Sequence, residues 1–141
     1  MEKIFGKFGV TVSMFLEEFT PWNIHSDFHK NDAKPYFAVL VPLDFDDKIT
    51  HTIVFNELGT EKDWKTNLSV HKVQNYTKYQ RQLLSHIDEE LLSKVSISSV
   101  HRWKVGKMIA WHRKLLHTSD NFHMAGLKKK IALVLFLNNN V

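Results

Sequence analysis

The sequence predicts an all-β core, a barrel or jelly roll, carrying one minor helical insertion. Three observations predict it. Short runs rich in β-branched and aromatic residues recur along the chain, each closed by Pro, Gly, Asp or Asn. Nothing repeats the regular alternation of strand and long amphipathic helix that a parallel sheet requires. The one sustained polar, helix-like stretch is confined to about residues 61–94.

The elements follow in chain order. Val10 to Phe19 is a β-branched and aromatic run that ends before Pro21, and Trp22 to Phe28 is a second, shorter extended run. Pro35 to Phe45 contains Tyr36-Phe37-Ala38-Val39-Leu40-Val41, a buried type of strand closed by Pro42, Asp44, Asp46 and Asp47. Thr50 to Asn56 alternates polar and apolar and ends near Gly59. From Glu61 to Lys94 the chain turns polar, and the stretch reads as a surface excursion between strands. Within it Tyr76–Leu84 and Asp88–Leu92 have helical character, with Asp88 as N-cap and Glu89 and Glu90 in the first turn. Val100–Val105, Lys107–Trp111 and Leu115–Thr118 return to short strands. After a polar turn, Ser119–Gly126, comes Lys130–Leu137, the most apolar strand, stopped by Asn138–Asn140.

Seven or eight such strands, with no repeat and no linker, make one domain over residues 1–141. The count suits a double-stranded β-helix, a cupin-like jelly roll whose open mouth is a natural metal pocket. The strands Pro35–Val41, Thr50–Asn56, Lys107–Trp111 and Lys130–Leu137 should be antiparallel members of two facing sheets, with the insertion outside them.

Composition removes several function classes. The chain has no cysteine, which excludes disulfides, iron–sulfur clusters and thiolate catalysis. A transition metal would have to be held by Asp, Glu or some of the nine histidines. The net charge of +4 is too mild for the basic stripe of a nucleic-acid binder, and slightly favours an anionic substrate. No run approaches the ~20 apolar residues of a membrane span, and Met1–Val10 has no continuous apolar segment of a signal peptide. The expectation is a soluble cytoplasmic protein with no membrane partner.

His25-Ser26-Asp27 lies in an extended run. Side chains at i and i+2 share a strand face, so His25 and Asp27 can reach one metal as a neutral nitrogen and an anionic oxygen. A distant histidine would complete two His and one carboxylate, the facial set that leaves coordination positions open for a cosubstrate and dioxygen. Near the C-terminus the chain reads Trp111-His112-Arg113-Lys114-Leu115-Leu116-His117-Thr118-Ser119-Asp120-Asn121-Phe122, and Lys128-Lys129-Lys130 leads into the last apolar strand.

A His-x-Asp pair, a distal His at a strand end and a cation after it, in that order, resemble the 2-oxoglutarate/iron(II)-dependent dioxygenase superfamily. The likeness runs over roughly Val10 to Leu137. It is greatest to small members with a Trp-x-Arg-x-x-x-His-x-Ser-Asp-Asn-Phe segment, and to prolyl-hydroxylase-like members that use Lys as the cation. The resemblance implies iron(II) held by His25, Asp27 and His117. It implies that Lys130 pairs with the distal carboxylate of 2-oxoglutarate, with Lys128, one pleat earlier, as the alternative, and Lys129 pointing away. It implies ascorbate as an accessory reductant, dioxygen as co-reactant, and conversion of 2-oxoglutarate to succinate and CO2 coupled to hydroxylation of a substrate C–H bond. His29, His112 and His123 read as surface or supporting histidines, Trp111 and Phe122 as core, and Asn121 as a residue near the cosubstrate. Two rival readings stand beside this one: a cupin-type metal-binding jelly roll with another reaction, and a non-enzymatic β-sandwich binding module.

Overall fold

The computed structural model describes residues 8–28, 35–43, 48–59, 65, 68 and 75–138. Its strands are β1 (Gly9–Glu18), β2 (Pro35–Pro42), β3 (His51–Leu58), β4 (Ile97–Arg102), β5 (Ile109–His112), β6 (Leu115–Ser119) and β7 (Lys130–Asn138). Two short helices, α1 (Lys78–Leu83) and α2 (Glu89–Leu92), lie between β3 and β4. The strands form two antiparallel sheets, one ordered β1-β7-β2-β5 and the other β4-β3-β6.

The apolar pattern explains these positions. β7 and β2 lie side by side in the larger sheet and are the two most continuously apolar strands, because a central strand has both faces covered. The two sheets pack face to face: Ala38 and Leu40 of β2, Ile109 and Trp111 of β5, and Ala132 and Val134 of β7 meet Val54 of β3 and Trp103 in one buried cluster. The four strands expected in two facing antiparallel sheets are there as β2, β3, β5 and β7. The strand expected at Val100–Val105 runs instead over Ile97–Arg102; the Trp103 amide adds one more ladder bond, to Thr50 O, before the turn closed by the Lys107 amide on Lys104 O.

A second buried cluster lies on the opposite face of the smaller sheet. Parity along β3 sends Val54 inward and Ile53 and Phe55 outward. The outward side chains, with Ile24 and Leu116, pack against Leu84, Ile87, Leu91, Leu92 and Val95. The described part of the 61–94 stretch is thus the lid of a core, not a plain surface excursion. The expected Asp88 cap is present, and the first helix carries a cap that the sequence reading did not name. Thr77 and Gln80 form a reciprocal capping box, and the Asp88 side chain accepts from the Glu90 amide. Residues 61–64 fall outside the described residues. Among the described residues, no helix is long and apolar enough to cross a membrane.

Candidate metal centre

The segment from Pro21 to Phe28 does not form a strand of its own; its backbone bridges to the smaller sheet at His25, through a reciprocal pair of bonds, while Thr118 and Ser119 hold Trp22. The His25 amide donates to His117 O at 3.0 Å and the His117 amide to His25 O at 2.8 Å. Two residues 92 positions apart are therefore in register, with their imidazole centroids 4.3 Å apart. Ser26, on the other face, donates to Gly59 O. Gly59 allows this approach: a Cβ there would stand 2.5 Å from Leu116 Cδ2 and 2.8 Å from Ser26 Oγ. Arg113 holds the next residue, its Nη2 donating to the Asp27 carbonyl while its guanidinium lies 3.8 Å over the Phe136 ring.

One ligand atom from each of His25, Asp27 and His117 falls within 4.8 Å of the others, and His117 Nε2 lies 3.4 Å from Asp27 Oδ2. The cluster can hold a metal ion. Each histidine also has its second nitrogen occupied in the way a ligand needs. His25 Nδ1 lies 2.8 Å from Asn23 O and His117 Nδ1 3.2 Å from Leu115 O. A carbonyl can only accept, so Nδ1 carries the proton in both rings and Nε2 keeps its lone pair. Burial pushes His117 down to about 4, with His25 adding to the effect and the Asp27 carboxylate opposing it. His117 is therefore neutral around pH 7, as ligation requires.

The cluster opens into a cavity of about 140 Å³ between the sheets. Four rings stand in a row along it, with centroid spacings of 5.1 Å from Trp22 to His25, 4.3 Å from His25 to His117 and 4.7 Å from His117 to Trp111. Trp103, Phe136 and the aliphatic Met14, Leu16, Leu40 and Val134 complete the apolar walls. The polar lining is Thr52, Thr118, Ser119 and the carboxylate of Glu18. Glu18 is 5% exposed, and its Oε1 accepts from the Ser119 hydroxyl and from the Trp22 amide at 3.0 Å.

Lys130 is 1% exposed and opens β7 on the inner face. Its ammonium donates to His51 O at 2.9 Å, lies 3.5 Å from Asp120 Oδ1 and sits 3.8 Å over the Trp103 ring. Asp120 in turn binds His51 Nδ1 through Oδ2 at 2.9 Å, and His51 Nε2 lies 3.2 Å from the Tyr79 hydroxyl. The counter-charge that its burial requires thus comes from within the chain. Trp103 lines the cavity, whereas Lys130 does not. Lys128 precedes the strand, so pleat parity does not act on it, and it is exposed. Lys129 points outward onto Glu17.

Of the other residues singled out, His112 meets Phe37 edge-on at 6.2 Å, His123 is exposed, and Phe122 is fully buried. Trp111 is buried too, but it also walls the cavity. Asn121 turns away from the cavity: its amide donates to Leu83 O and its side chain to Ser85 Oγ, tying the β6–β7 turn to the helices. His29 lies outside the described residues. Sequence reasoning missed Glu18, Trp22, Trp103, His51 and Asp120. Asp120 alone had a signal, its place in the segment after His117. The chain matches no family model and no curated protein.

Proposed function

We propose that the protein is a non-haem iron(II) dioxygenase dependent on 2-oxoglutarate, built on a jelly roll. The observation that carries the reading is the His25, Asp27 and His117 cluster, with both Nδ1 atoms tied to carbonyls and the ligating atoms within 4.8 Å. Two neutral nitrogens and one carboxylate on one side of an ion leave its remaining positions facing the cavity. The strand pairings support the fold. Counting the His25 bridge as the second strand, β1 pairs β7, His25 pairs His117, β2 pairs β5 and β3 pairs β4. These are pairs 1–8, 2–7, 3–6 and 4–5 of one long hairpin rolled on itself, which is how a jelly roll is wound.

Iron(II) and 2-oxoglutarate, when bound, supply the oxidative decarboxylation to succinate and CO2 and the oxidising power for a substrate C–H bond. The chain's own residues do the rest. His25, Asp27 and His117 hold the ion, Arg113 fixes the Asp27 backbone, and the tryptophans keep water from the reacting centre. The reading assigns the distal carboxylate to Lys130, the buried cation behind Trp103, in competition with its present partner Asp120.

Anaerobic titration with iron(II) and then 2-oxoglutarate tests the reading, since a visible charge-transfer band arises only when the keto acid chelates iron. We expect the band, and succinate formation under air. Lys130→Ala should raise the 2-oxoglutarate requirement far more than it weakens iron binding, and Lys128→Ala should not. A second reading is favoured by the charge of the lining: among the described residues no Lys or Arg lines the cavity, and Asp120 already pairs with Lys130. That is a cupin-type metal site acting without the keto acid, and iron binding with neither band nor succinate would establish it. Failure to bind any divalent ion would leave a non-enzymatic β-sandwich.

A further inference from the structure

The cavity's charge runs against that of the chain. Lysines and arginines outnumber acids 19 to 15 overall, yet among the described residues the cavity is lined by two carboxylates, Glu18 and Asp27, and by no Lys or Arg. The two nearest cations shown each face an aromatic ring and bond elsewhere, Lys130 over Trp103 and Arg113 over Phe136. A divalent ion at the cluster brings the lining to neutrality. A dicarboxylate cosubstrate then adds two negative charges, against which Lys130 is already offset by Asp120. The assembled centre is left short of positive charge.

The walls say which kind of cation fits. Trp22 and Trp111 flank the histidine pair, and Trp22 is 47% exposed, so it stands where a ligand enters. Both hydrogen bonds to Glu18 fall on Oε1, which leaves Oε2 for a charge in the cavity. An indole face beside a buried carboxylate, with the hydroxyls of Thr52, Thr118 and Ser119 already bonded within the chain, suits a soft, weakly hydrated cation better than a primary ammonium that must keep three hydrogen bonds.

We infer that the substrate carries an alkylated ammonium group, held against Trp22 with Glu18 as its counter-charge. This rests on the reading of the site as a metal-dependent oxygenase and names its substrate class. It reverses the slight preference for an anionic substrate drawn from net charge, because recognition depends on the lining and not on the total.

The test is binding of choline against its neutral isostere 3,3-dimethylbutan-1-ol, followed by calorimetry on the nickel(II)-loaded protein. Choline should bind about tenfold more tightly than the alcohol, the range of a desolvated cation–π contact. Glu18→Gln and Trp22→Leu should each erode that preference to within about threefold. Equal affinity for the two probes, no binding of choline, or an unchanged preference in both variants overturns the inference. The comparison on the unaltered protein decides the matter even if a variant fails to fold. Choline selectivity without a keto-acid band removes the dioxygenase reading and leaves the ligand class standing; the reverse result removes only the ligand class.

Discussion

Two polar groups flank Trp103, one partly and one fully buried, and they are finished differently. On the cavity side, His25, Asp27 and His117 bring nitrogen and oxygen lone pairs together, and their hydrogen-bond partners sit on the far side of each ring. Behind Trp103, Lys130, Asp120 and His51 close on one another, donor to acceptor. The first set turns its lone pairs toward one point that a cation could occupy; the second pairs donor with acceptor inside the chain. Burial by itself therefore does not mark a ligand anchor. A buried polar group is diagnostic when the chain completes its orientation but not its charge.

The sharpest way to break this contrast is to remove a ligand. Asp27→Ala and His117→Ala should abolish stoichiometric retention of iron(II) or cobalt(II) after dialysis, read by metal analysis, with the far-ultraviolet circular dichroism kept. Retained metal in either variant would place the site elsewhere. Behind Trp103 the loss should appear in stability instead. Asp120→Ala strands the Lys130 ammonium in the core at a cost of about 3–5 kcal/mol, measured by urea unfolding. Asp120→Ala combined with Lys130→Met should recover most of it, whereas an unrecovered double variant would show that the pair does not interact.

Acid separates the two groups further. His117 folds with its proton affinity lowered from 6.5 to about 4 by burial, so below pH 6.5 the unfolded chain takes up a proton that the folded one refuses. The metal-free protein should hold its stability above pH 6.5 and lose on the order of 3 kcal/mol as pH falls toward 4. His86, His101 and His112, also lowered by burial, act in the same direction. Stability that is flat across this window would show His117 to be solvated. The smallest effect should come from Gly59→Ala, which crowds Ser26 and Leu116 and should cost about 1–3 kcal/mol while loosening metal binding. An unchanged metal affinity in that variant would separate the Ser26 contact from the site.

How much of this was legible in the sequence follows from the range of each signal. β7 and β2 announce themselves through local apolar runs, and the Asp88 cap through three neighbouring residues. His25 and Asp27 are related by the two-residue repeat of an extended chain, so their common face was readable; His117 was readable through its order in the chain. Glu18 was not, because its partner Ser119 is 101 residues away and only the register of β1, β7 and β6 brings them together. Asp120 was visible as a residue but not as the neutraliser of Lys130, since that depends on β3 carrying His51 into the same place. The second core was hidden for a related reason: Leu84, Ile87, Leu91 and Leu92 lie in a polar stretch too short for a strong helical period, and their apolar partners are on another strand face.

The reciprocal backbone bonds between His25 and His117 make the two histidines a latch as well as a pair of ligands. Thr118 and Ser119 hold Trp22, Gly59 holds Ser26, and Ile24 is buried beside Phe55, so an ion at the cluster would tighten a segment that the chain already fastens to the sheet. Loading should then slow amide hydrogen exchange at His25 and His117 together, by the factor with which the ion stabilises the closed form.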